Sequence, residues 1–89
     1  MRERTQYTQT QPLVFVVRDQ VSYDGNIQWS GIEIYTSREL ARQSIQRKKW
    51  AWLLTTITID ETDEIEGISS ESNHISVHMW VQAEQLISH

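Results

Sequence analysis

The chain has 89 residues, no cysteine and a formal net charge of −4. That length fits one domain with a modest buried fraction. The missing cysteines exclude a disulfide framework, a thiol nucleophile and a thiolate metal centre. Apolar residues make up 38% of the chain, and four Trp, three Tyr and one Phe can enlarge a small core. No apolar run approaches the roughly 18–20 residues that span a bilayer, and residues 1–6 lack the apolar centre of a signal peptide. A cytoplasmic protein is expected. The charge is unevenly divided: residues 1–49 carry all eight Lys and Arg with five acids, and residues 50–89 carry seven acids and no Lys or Arg. Such a division describes either two solvated faces or two patches of opposite sign, one of which meets a partner.

Residues 1–12 are rich in Gln and Thr, show no apolar period and end at Pro12, so a flexible tail is expected before a single domain over residues 13–86. The first strand is expected over 13–21. Leu13, Phe15, Val17 and Val21 share one face with Tyr23, and Val14 and Val16 make the other face apolar as well, which predicts an interior strand. Asp24-Gly25 between two β-rich runs is a hairpin signal, because Gly accepts the positive φ of a tight turn. The second strand, 27–35, changes apolar phase at Gly31: Ile27 and Trp29 lie on one face, Ile32 and Ile34 on the other. Either a β-bulge at Gly31 turns both pairs to the core or each end is buried on a different face; the bulge is preferred.

Thr36 followed by Glu39 reads as a capping box opening a helix that runs to about Lys49. Leu40, Ala41, Ser44 and Ile45 form its inward stripe, continued by Trp52. Arg47, Lys48 and Lys49 in the last turn oppose the negative helix end, a structural reason for that run. Residues 50–60 form a β-branched third strand, with Leu53, Thr55, Ile57 and Ile59 alternating against Trp52, Leu54, Thr56 and Thr58. A short fourth strand is expected around Gly67 and a fifth over 74–83, with Ile75, Val77, Met79, Val81 and Ala83 on one face. The expected fold is α+β: an antiparallel sheet of four to five strands with one helix packed on one face, in the chain order β-β-α-β-β-β.

Val14-Phe15-Val16-Val17, Tyr23-Asp24-Gly25, Ile34-Tyr35-Thr36-Ser37, Ala41 and Ile57-Thr58-Ile59-Asp60 together carry a resemblance. Residues 14–60 resemble a group of small bacterial and phage-encoded ββαβ domains of unknown function. The resemblance implies a ββαβ core and a prokaryotic or viral origin, with the host cytoplasm as the location of a phage-encoded member. It transfers no catalytic residue, and the acidic segment after Asp60 lies outside it.

Few residues offer chemistry. His74 and His78, with Asp63, Glu64 or Glu66, are the only metal-site candidates, but on a strand the two histidines stand too far apart for easy chelation, so no metal is expected. No phosphate-binding Gly-rich loop and no nucleophile elbow is present, so no enzyme and no cofactor is expected. The densest acid cluster, Asp60, Glu61, Asp63, Glu64 and Glu66, together with Trp80, is the expected protein-binding site, since exposed Trp beside charge anchors interfaces. An acidic face imitates phosphates, so a host nucleic-acid enzyme or defence nuclease is a reasonable target for a phage or mobile-element factor. Arg38, Arg42, Arg47, Lys48 and Lys49 with Trp50 are the alternative, a nucleic-acid-binding helix. A homo-oligomeric module pairing through a sheet edge is the third reading, with a homodimer as its simplest form. Four Trp exceed what so small a core hides, so Trp50 or Trp80 is expected at the surface.

Overall fold

A computed structural model describes residues 13–85. The expected tail at 1–12 and the last four residues lie outside the described residues. The elements are β1 (Leu13–Tyr23), β2 (Asn26–Tyr35), α1 (Arg38–Ala51), β3 (Leu54–Glu61), β4 (Glu64–Ser69) and β5 (Ile75–Gln85). All five strands form one antiparallel sheet in the spatial order β2-β1-β5-β4-β3. The expected α+β class and chain order are therefore present. The spatial order departs from the chain order because β5 inserts between β1 and β4, joining the N-terminal hairpin to the β3–β4–β5 meander. No described helix is long and apolar enough to cross a membrane.

β1 is interior, as its two apolar faces require. Its odd-numbered residues face α1, and the core lies there: Val17, Ala41, Ile45, Ile65, Val77 and Met79 are fully buried, with Phe15, Val21, Tyr35, Trp52, Leu54, Ile75 and Val81 packed against them. The helix buries Ala41, Ser44 and Ile45, three positions of one helical stripe. Leu40, expected in that stripe, is 46% exposed.

Three local expectations are corrected. Ser37, not Thr36, caps the helix: its Oγ accepts from the Leu40 amide at 3.0 Å, the bond that an N-cap residue makes to N3. Glu39 then falls at the second helical position and receives a bond from Gln43. The bulge in β2 is not at Gly31. Trp29 pairs with Val21 and Ile27 with Ser22, so Gln28 is the extra residue. Trp29 turns to the helix side, while Ile27, Ile32 and Ile34 share the opposite face, exposed at 57%, 57% and 66%. Gly31 serves a different purpose, because a Cβ there would lie 2.5 Å from the Trp29 ring and 2.8 Å from Asp19 Oδ1. The strict alternation expected in the third strand is also broken. Residues 50 and 51 complete the helix, and shifts in the β3–β4 register leave Thr55 and Thr58 as extra residues. Ile57 consequently faces the core side and Ile59 the other.

The helix-to-strand junction lacks a glycine because Leu53 adopts the left-handed conformation itself, at φ 53°. Its amide bonds the Trp50 carbonyl, and the Trp52 amide bonds the Lys48 carbonyl, closing the last turn.

Candidate functional site

The two charged segments of the sequence meet inside the molecule. Asp63, in the turn between β3 and β4, receives Arg42 Nε at 2.6 Å on Oδ1 and Arg38 Nη1 at 3.0 Å on Oδ2. The bond from Arg42, with the charge of both guanidiniums, holds the Asp63 carboxyl below its usual range, and Asp63 in turn raises the Arg42 guanidinium. Arg38 also lies over the Phe15 ring, 4.9 Å from its centroid. Lys49 reaches Asp60 at 3.3 Å. The helix cations and the first acids of the acidic segment thus hold α1 across the sheet. Of the five cations proposed for phosphates, Arg38, Arg42, Lys48 and Lys49 face carboxylates, and Arg47 lies exposed on the outer helix surface. A shallow groove of about 560 Å³ runs along that surface, with Arg42, Arg47 and Trp50 among its walls.

Lys48 belongs to a partly buried network that the sequence pattern hides. Its Nζ lies 2.8 Å from Asp19 Oδ2 and 3.0 Å from Glu33 Oε1. Glu33 Oε1 also accepts from Ser44 Oγ at 2.8 Å and Tyr35 OH at 3.0 Å. Burial pushes the Glu33 carboxyl up, but the bonds from Ser44, Lys48 and Tyr35 outweigh it and the net shift is down. Burial likewise pulls Lys48 down, and its bonds to Asp19 and Glu33 reverse this into a net rise. Asp19 is 2% exposed, and its Oδ1 has no partner among the described residues. In the sequence, Asp19 is a carboxylate in phase with Phe15, Val17 and Val21 on a core face, the local sign of this network. With Ser44 1% exposed, the arrangement orients the helix rather than offering a nucleophile to solvent.

The remaining proposed residues gather on the sheet face away from the helix, which no described element covers. The β3–β4 register sets Glu61 opposite Glu64, and the β4–β5 register sets Glu64 opposite Trp80 and Glu66 opposite His78. His78 Nε2 lies 2.6 Å from Glu64 Oε2, and its ring lies 4.6 Å from that of Trp80. His74 precedes β5, bonds Asp24 at 2.6 Å and stacks on Tyr23. The two histidines therefore serve different carboxylates and do not converge on one ion. Across the face, Trp80 pairs with Arg18, and Arg18 with Ile32. Trp80 stands between two hollows. One, of about 270 Å³, is lined by Glu61, Asp63, Glu64 and His78; the other, of about 380 Å³, by Arg18, Gln20, Ser30 and Ile32. Of the proposed acidic site, the structure thus brings Glu61, Glu64, Glu66 and Trp80 together, places Asp60 on the helix side, and leaves Asp63 at the rim of the first hollow with its carboxylate bonded to Arg38 and Arg42. Trp50 is the most exposed of the four Trp, at 73%, and Trp80 is half-buried.

Comparison with protein-family models, with curated proteins and with solved structures gives no match.

Proposed function

We propose that the chain is a non-enzymatic protein-binding module that docks through the sheet face that no described element covers. The observation that carries this reading is Trp80, set between two hollows, with Glu61, Glu64 and Glu66 on one side and Arg18, Gln20 and Ile32 on the other. A half-buried Trp with a rigid backing strand is the side chain that most often anchors an interface. Glu61 directly opposite Glu64 is a like-charge cross-strand pair, which destabilises the free sheet. A basic partner surface relieves that repulsion, and carboxylates spaced along a strand suit a groove built for phosphates. The target class is therefore a basic-surfaced protein such as a nucleic-acid enzyme. A phage or mobile-element factor blocking a host enzyme, including a defence nuclease, is the biological form of this reading and rests on the family resemblance.

The test is affinity capture from a bacterial host lysate with the full chain, Trp80→Ala and Glu61→Gln/Glu66→Gln. The expected result is a stoichiometric, salt-sensitive basic partner that both variants lose while their circular dichroism stays close to wild type and the Glu61→Gln/Glu66→Gln variant melts no lower than wild type. No stoichiometric partner, or one lost on Arg47→Glu but kept by Trp80→Ala, defeats the proposal.

A further inference from the structure

The two edges of the sheet differ. β3 is interrupted by extra residues at Thr55 and Thr58 and ends in Asp60 and Glu61. Bulges and charges of this kind discourage a further strand from adding. β2 has no such device beyond Gln28: its register with β1 is unbroken from Trp29 to Tyr35. Its only charged residue is Glu33, which is already engaged by Lys48 and Ser44 on the helix side.

The direction of its free backbone groups follows from the turn. Asp24 and Gly25 have φ of 50° and 84°, the double positive φ of a two-residue type I′ hairpin, in which the flanking Tyr23 and Asn26 form a hydrogen-bonded pair. Alternation through the bulge then makes Val21–Trp29, Asp19–Gly31 and Val17–Glu33 the bonded pairs. The amides and carbonyls of Ser30, Ile32 and Ile34 consequently point away from β1, along an edge that pairs with no other described strand. Ile32 and Ile34 carry the most exposed aliphatic side chains of that strand together with Ile27.

We propose that this edge pairs with the β2 edge of a second copy of the chain, antiparallel about a two-fold axis at Ile32. That register is self-complementary. Ile32 faces Ile32 of the second copy, Ser30 faces its Ile34, Gly31 faces its Glu33 and Trp29 faces its Tyr35. No like charges oppose each other, a small residue meets each large one in two of the pairs, and an aromatic pair forms on the helix side. All three outward-pointing residues of each strand are used, giving about six backbone hydrogen bonds. The axis stands perpendicular to the sheet, so both helices lie on one side and both Trp80 faces on the other. The dimer shares Ile32 and Ser30 with the rim of the docking surface proposed above, leaves Trp80 itself uncovered and would make that surface bivalent.

Sedimentation equilibrium of the full chain is expected to give twice the chain mass, with slow amide exchange at Ser30, Ile32 and Ile34. Ile32→Lys places two lysines against each other at the axis. It should raise the dimer dissociation constant at least tenfold, a change of about 1.4 kcal/mol or more, without altering far-ultraviolet circular dichroism. Because the chain has no cysteine, Ile32→Cys tests the register directly: oxidation should yield a covalent dimer, and Thr58→Cys on the opposite edge should not. Trp80→Ala should leave the dimer intact, which separates this proposal from the docking reading. A monomer at every concentration up to the solubility limit, whatever its amide exchange, overturns the proposal. So does a dimer that persists unweakened in Ile32→Lys or that cross-links only through Thr58→Cys.

Discussion

Lys48→Met isolates the partly buried Asp19–Lys48–Glu33 network. The substitution keeps most of the aliphatic stem and deletes the ammonium that lies 2.8 Å from Asp19 Oδ2 and 3.0 Å from Glu33 Oε1. At 2.8 Å and an effective dielectric of about 20, one such attraction is about 6 kcal/mol, most of which offsets the desolvation of the two ions. Removing one partner exposes that desolvation cost: Asp19 is 2% exposed and its other oxygen already lacks a described partner. Broken buried pairs lose about 3–5 kcal/mol. The Lys48 side chain is 22% exposed, so water reaching its place lowers the expected loss to about 2–3 kcal/mol. A domain of this size has roughly 4–10 kcal/mol in total, so the change is large. Urea unfolding with an unchanged m-value measures it. Asp19→Asn in the Lys48→Met background should recover about 1 kcal/mol or more, because a neutral amide is less costly to bury than an unpaired carboxylate. A loss below about 1 kcal/mol for Lys48→Met, the level of an exposed surface pair, would refute the reasoning.

Other outcomes follow from single contacts. Ser37→Ala should lose about 1 kcal/mol of stability while Thr36→Ala changes little, and thermal melts of the two variants distinguish the observed cap from the one-residue-earlier alternative. Gly31→Ala drives a Cβ against the Trp29 ring and the Asp19 carboxylate; a loss of about 1–3 kcal/mol is expected, with a change in Trp29 fluorescence. Leu53→Gly removes a left-handed non-glycine residue and should gain about 0.5 kcal/mol, since relief of the strain exceeds the added freedom of the unfolded chain. The pH dependence has two limbs. Asp63 and Glu33 sit below their ordinary 3.8 and 4.5, so their stabilisation is complete above those values and is lost as pH falls through the lower folded ones. Lys48 sits above 10.5, so its contribution is complete below that value and is lost as pH rises through the higher folded one. Melting temperature should therefore be flat near neutrality and fall on both sides. An acid limb unchanged in Asp63→Asn/Glu33→Gln would contradict the assignment.

The uneven charge along the chain shows how sequence and tertiary structure divide the account. The basic helix and the acidic strands are both legible in the sequence, which leaves open whether they form two solvated faces or two patches of opposite sign, one of which meets a partner. Packing α1 across the sheet brings Arg38, Arg42 and Lys49 onto Asp63 and Asp60. Part of the asymmetry is thus spent on internal pairing, and Glu61, Glu64 and Glu66 stay with Trp80 on the face away from the helix, where Glu84 pairs with Arg18. Nothing local could sort these acids. A two-residue turn and a bulge at Thr58 decide which carboxylates point to each side, and a one-residue shift reverses every side chain beyond it.

By itself the sequence determined the hairpin at Asp24-Gly25, the interior position of β1, the helix and the inward face of β5, because each is set by local φ preference or by apolar period. Only the tertiary structure decided the insertion of β5 beside β1, the bulge at Gln28, the left-handed Leu53 and the Asp19–Lys48–Glu33 network. The sheet order and the network depend on contacts between residues far apart in the chain, where the pairing of β5 with β1 and of Lys48 with Asp19 outweighs what either segment prefers alone.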